Sequence, residues 1–237
     1  GSDNTTGGIW RVNMSTGAVA FFAAGPASQG NDGARCYDAP VPIDFGDAPN
    51  SYGTTLASNG PRHAIPNYDN TTNSAPVMLG SLIDIEVDGQ PTANADGDDN
   101  NGIADEDALS GLPRITLPAS PAQTGQTVSL TVPCSPDGAF VVGYIDFDGG
   151  GTFGTGHERS ATATCSGGNA NVVWTFANST VTAKNTYLRL RIASNAAEIQ
   201  TPTGPASDGE VEDYRIILDP PPQTPFGVCD ARAFWRL

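Results

Sequence analysis

At 237 residues the chain is long enough to bury a sizeable core, and a formal charge of −15 excludes nucleic acid or an anionic membrane surface as a natural partner. Charged residues are only 16% of the total, while 28 glycines and 19 prolines punctuate the sequence. That balance excludes an acidic disordered chain and points to a loop-rich globular one. The longest apolar run, residues 18–24, is too short to cross a bilayer, so the chain is not expected to be membrane-embedded.

In chain order, Ile9-Trp-Arg-Val12 and Ala18-Val-Ala-Phe-Phe22 flank the turn Asn13-Met-Ser-Thr-Gly17 and read as a β-hairpin. Residues 1–40 are therefore expected to form a hairpin segment, the end of a preceding repeat or an assembly strand. An isolated hairpin is marginal in water, so it needs a surface to pack on. Residues 41–114 are rich in Asn, Asp, Gly and Pro and contain only short apolar pieces such as Val77-Met-Leu79 and Leu82-Ile-Asp-Ile85. So long an irregular stretch needs something to hold it, and a bound cation with the aromatic anchors Phe45, Tyr52 and Tyr68 is the expected means.

Between residues 115 and 219 strand alternation is clear. Val128, Leu130 and Val132 alternate with Thr127, Ser129 and Thr131, and Leu188, Leu190 and Ile192 with Arg189 and Arg191. Tyr214, Ile216 and Leu218 continue the pattern, and segments 159–165 and 171–176 add two more strands. The near-continuous apolar run at 140–147 fits a strand covered on both faces. About six short strands joined by Gly/Pro/Asp turns predict an all-β fold, an antiparallel sandwich of Ig-like or jelly-roll-like type over residues 41–219. Pro220-Pro-Pro222 breaks into a C-terminal tail, residues 220–237.

Three acidic stretches carry the chemistry: residues 96–107, Asp146-Phe-Asp148, and Asp208-Gly-Glu-Val-Glu-Asp213. Crowded carboxylates repel unless a cation or water absorbs the charge, and oxygen-only ligand sets suit calcium. In the first stretch the candidate ligands are Asp96, Asp98, Asp99, Asn101, Asp105 and Asp107, with Gly102 permitting the sharp turn. In the second they are Asp146, Asp148 and Glu158, and in the third Asp208, Glu210 and Asp213. For each stretch the competing reading is a solvated acidic loop. In a strand Glu210, Glu212 and Tyr214 share one face and Val211 and Asp213 the other, and a carboxylate on a buried face must be paired or metal-bound. Soft ligands are scarce: His63 and His157 are far apart and read as loop histidines, and no two of the four cysteines have C-x-x-C spacing. Cys134 with Cys165 and Cys36 with Cys229 are the expected disulfides of an exported protein, free buried thiols being the alternative.

Residues 43–218 resemble the GEVED domain family of bacterial secreted and cell-surface proteins. The blocks that carry the resemblance are Asp44-Phe-Gly-Asp-Ala-Pro49, Ser51-Tyr-Gly53, Arg62-His63, Leu79-Gly80, Asp88-Gly-Gln-Pro91, Gly97-Asp-Asp99 through Asp105-Glu-Asp107, Ile145-Asp-Phe147, Leu188-Arg-Leu190 and Ser207 through Tyr214. The resemblance implies an extracellular β-sandwich module of adhesin-like proteins that holds calcium, and it adds Asp44 and Asp47 to the candidate ligands. Gly150 departs from the acid-rich pattern of the family's loop.

No G-x-S-x-G, H-E-x-x-H or phosphate-cradling glycine loop occurs, so the chain is not expected to be an enzyme. The expected function is a calcium-stabilised structural or adhesion module of a cell-surface protein or extracellular fibre. Its partners would be other copies or neighbouring domains, met by strand addition. The alternative is a calcium-dependent carbohydrate-binding module, in which Trp10, Trp174, Tyr52, Tyr68 or Trp235 would stack on a glycan.

Overall fold

The structure, a computed structural model, describes residues 42–221 apart from 98–103, 106, 120–122, 155, 178–180 and 182–183, together with 8–12, 16 and 18–24. Chain contacts divide it into two units at Val41/Pro42. In the first unit, β1 (Gly8–Val12) and β2 (Val19–Ala24) pair antiparallel, with a bulge between Ile9 and Trp10.

The second unit is built from β3 (Ile43–Phe45), β4 (Arg62–Ala64), β5 (Met78–Leu79), β6 (Arg114–Thr116), β7 (Thr127–Ser135), β8 (Phe140–Ile145), β9 (Ala163–Thr164), β10 (Asn169–Thr175), β11 (Asn185–Ala193), β12 (Pro205–Ala206) and β13 (Glu210–Asp219). Short 3-10 turns at Asn50–Tyr52, Leu56–Ser58 and Ala196–Ile199 are its helical elements among the described residues. None is long enough to cross a membrane.

A five-stranded sheet in the order β6-β13-β11-β8-β9 faces a three-stranded sheet in the order β10-β7-β5. Between them lies the main core. Val128, Val132, Val172 and Trp174 meet Val141, Ile145, Leu188, Leu190, Ile192 and Ile216. Gly143 belongs here because any Cβ would stand 2.4 Å from the Trp174 ring. The fold is thus the expected all-β sandwich, antiparallel in its long pairings. The parallel pairs β13–β6 and β12–β4 are exceptions.

The apolar run at β8 is covered on both faces. Val141 and Ile145 point into the sandwich, whereas Val142 and Tyr144 pack with Ala48, Tyr52, Phe153 and Ile199 on the far side. The five-stranded sheet is therefore a middle layer. Segments around 48–52 and 199–206, with the small sheet β12-β4-β3, lie over its outer face. This changes the meaning of the alternation in β11. Arg189 and Arg191 do point away from the sandwich core, yet they are 0% exposed, because the outer layer closes over them.

Cys134 in β7 and Cys165, just past β9, form a disulfide with Cα atoms 6.0 Å apart. The two strands are not neighbours in one sheet; the bond ties one sheet of the sandwich to the other. Cys36 and Cys229 lie outside the described residues.

Candidate metal centre and the signature strand

Asp44 in β3, Glu86 in the loop after residue 82 and Asp105 converge. One carboxylate oxygen of each lies within 4.8 Å of the others, and all three side chains are buried. Each is aimed by a backbone N–H. Phe45 donates to Glu86 at 2.8 Å, Asp84 to Asp105 at 2.9 Å and Val211 to Asp44 at 2.6 Å. Asp44 Oδ1 has no hydrogen-bond partner, and nor does Oε1 of the neighbouring, fully buried Glu210.

Burial first, then the charges of Glu86, Glu210 and Asp105, push the Asp44 carboxyl well above its ordinary range. Burial and the adjoining carboxylates raise Glu210 in the same way. Among the described residues the two buried cations are engaged elsewhere: Arg189 with Asp213, and Arg191 with His63 and carbonyls of the outer layer. Buried acids of this kind must either hold protons or share a cation. The oxygen-only donor set fits a hard divalent ion, and this buried acidic cluster could hold one.

The strand that opens β13 organises the site. Gly209 sits at φ +90°, and a Cβ there would stand 1.8 Å from the Ile192 carbonyl, so only glycine fits. Each acid that follows grips a different part of the loop segment before residue 114. Glu210 accepts from the Leu79 N–H at 2.5 Å. Glu212 accepts from Ala108 N–H at 3.2 Å and from the Tyr214 hydroxyl at 2.8 Å. Asp213 accepts from both Asp47 N–H and Ala48 N–H, at 2.9 and 2.8 Å. Asp44 reciprocates by accepting from Val211. Gly46 permits this approach, since a Cβ there would lie 2.4 Å from Asp213 Oδ2. The long irregular stretch is thus stapled to one strand through its carboxylates.

A second trio, Asp146, Asp148 and Glu158, also brings ligand atoms within 4.8 Å. Both oxygens of Asp146 and of Glu158 already accept hydrogen bonds, and Asp148 accepts from Gly150 N–H at one of its oxygens. Asp146 accepts from the N–H groups of Gly149, Gly150 and Gly151 and from the Tyr52 hydroxyl. Glu158 accepts from Phe147 and Gly154. Burial works against the Asp146 charge, but those hydrogen bonds and the Lys184 ammonium outweigh it and hold the carboxyl below its usual range. This loop closes on itself with a lysine alongside.

The remaining acids singled out in the sequence are dispersed. Asp213, read there as a ligand, forms a fully buried, two-pronged ion pair with Arg189, both contacts at 2.7 Å. Asp47 receives Gly97 N–H, Asp96 the Thr92 hydroxyl, Asp107 Ser81 N–H and Asp208 Ser194 N–H. Asp98, Asp99 and Asn101 lie outside the described residues. Glu86 was missed: next to Val87, which is 83% exposed, it reverses the expected polarity of the segment.

The two histidines sit in different surroundings, and Nε2 of His157 is buried without a hydrogen-bond partner. His63 is buried, with Nδ1 on the Asp208 carbonyl at 2.9 Å and Nε2 accepting from Arg191 at 2.9 Å, while His157 stacks on Phe147. Trp174 is a core residue that donates to the Glu158 carbonyl, and Tyr52 is wedged between Phe153 and Tyr187, so neither is free to stack on a glycan. Tyr68 is half-buried and donates to Asn73. The side chain of Trp10 and all of Trp235 lie outside the described residues.

No curated protein and no solved structure matches the chain. Residues 140–217, from β8 into β13 and including the Gly209 to Asp213 signature, match the family model of the GEVED domain, and over that stretch the chain carries a GEVED domain.

Proposed function

We propose that residues 42–221 form a non-enzymatic, calcium-stabilised structural and adhesion module of a bacterial cell-surface protein or extracellular fibre. The observation that supports it best is the convergence of Asp44, Glu86 and Asp105 in a buried site where Asp44 keeps an oxygen without a hydrogen-bond partner. Calcium accommodates such irregular carboxylate sets and would relieve the repulsion that burial imposes. The engagement of both ring nitrogens of His63 in the fold favours a structural role over catalysis. The Cys134–Cys165 disulfide favours an oxidising, extracellular setting. Neighbouring copies or domains would be joined by strand addition at the β1–β2 hairpin, whose Val19 and Phe21 are exposed.

Thermal unfolding in calcium and in excess chelator tests this reading. Calcium at 100–1,000 times its dissociation constant should add about 3–4 kcal/mol. In a domain of this size that raises the melting temperature by on the order of 10 °C. Equal melting temperatures in calcium and chelator would remove calcium from the fold.

A further inference from the structure

We infer that the cation at Asp44, Glu86 and Asp105 works as a latch: it holds the described part of residues 42–113, the short edge strand β5 included, down on strands β6 to β11 and β13, and its removal frees that layer while those strands stay folded. This rests on the calcium reading above and adds where the ion acts. The three ligands belong to three separate pieces of the loop layer, namely β3, the loop around Glu86 and the segment at Asp105. The same carboxylates hold the backbone N–H groups of Phe45, Asp84 and Val211. Glu210, whose second oxygen is unsatisfied, anchors Leu79 from the sandwich side.

One ion thus lies where the irregular layer meets the first residues of β13. Without it, three buried carboxylates repel at the contact that fastens the layer. Strands β6 to β11 and β13 need no ligand of the ion. Most of the apolar core lies among them, and a disulfide joins their two sheets. Local opening is drawn from such weakly apolar, polar-stapled parts of a fold.

Hydrogen exchange on the full chain, in calcium chloride and then in EGTA, with calcium binding followed by titration calorimetry, tests the latch. In EGTA the amides of Phe45, Leu79 and Asp84 should exchange about tenfold faster or more, with Val142, Val172 and Leu190 unchanged. Glu86→Gln should show the same local pattern even in calcium, whereas Asp148→Asn in the self-closed loop should behave as the unmodified chain. Calcium binding with uniform acceleration at all sites, or with no acceleration at Phe45 and Leu79, would overturn the latch and leave the calcium reading intact. Calorimetry showing no calcium binding would overturn both.

Discussion

At the scale of single residues, the signature works because each acid has its own task. Asp213 is the clearest case: it is 0% exposed, binds Arg189 through both oxygens and caps two N–H groups of the Asp44–Pro49 block. Asp213→Asn keeps the shape and removes the charge, leaving the Arg189 guanidinium buried without a counter-ion. Breaking a buried pair in this way costs about 3–5 kcal/mol, and denaturant unfolding would measure it; a loss under about 1 kcal/mol would mean that Arg189 is compensated by the carbonyls of Tyr52 and Pro202. His63 makes an opposite demand on protons. Burial, then the Arg191 charge, holds its imidazole well below the ordinary value of 6.5. Below that value the unfolded chain takes up a proton that the folded His63 refuses. Its contribution is therefore complete above pH 6.5 and lost as the pH falls beneath it, with a slope approaching about 1.4 kcal/mol per pH unit. The difference in unfolding free energy between the chain and His63→Gln, followed from pH 7 to 5.5 in calcium, isolates that slope. Glutamine can still donate to Asp208 and accept from Arg191, so a pH-independent difference would refute the assignment.

At the scale of elements, the disulfide shows how the layers are held. It closes a loop of sequence separation 31 and links β7 to the end of β9 across the sandwich. Replacing both Cys134 and Cys165 by alanine should lower stability by about 3–4 kcal/mol on the chain-entropy account, read as a fall in the urea midpoint. The strands themselves were legible in the sequence, because an apolar residue at every second position states which face is buried. The apolar run of β8 also stated that its strand is covered twice. What alternation leaves open is whether the polar face meets water. Arg189 and Arg191 look like a solvated face in β11 and are buried by residues more than a hundred positions away in sequence, among them Thr54 and His63. Glu86 was hidden for the same reason. Ile83, Ile85 and Val87 alternate locally as a strand would, yet no strand forms there, and Glu86 is drawn inside by the Phe45 N–H, 41 positions earlier. The acid-rich look of residues 96–107 pointed to the right neighbourhood, but of the described acids in that stretch it is Asp105 that enters the cluster.

At the scale of the whole molecule, calcium has a competitor as an explanation for any stabilisation. A chain of net charge −15 repels itself, and added cations of any kind reduce that repulsion. The two effects differ in range and in place. General repulsion acts between exposed charges and is screened once the Debye length shrinks to about 10 Å at 0.1 M salt. The carboxylates of Asp44, Glu86 and Asp105 lie within 4.8 Å of one another and are buried, where mobile ions do not reach. In EGTA, raising sodium chloride from about 0.05 to 0.5 M should therefore lift the melting temperature by only a few degrees and then level off. Millimolar calcium, which barely alters ionic strength, should exceed that plateau at every salt concentration. Glu86→Gln sharpens the contrast: losing a ligand lowers the melting temperature in calcium, while losing a buried negative charge raises it in EGTA, so the two conditions move in opposite directions. If half-molar sodium chloride in EGTA restored the full calcium value, the acids would be acting through net charge alone, and the buried cluster would hold protons in place of an ion.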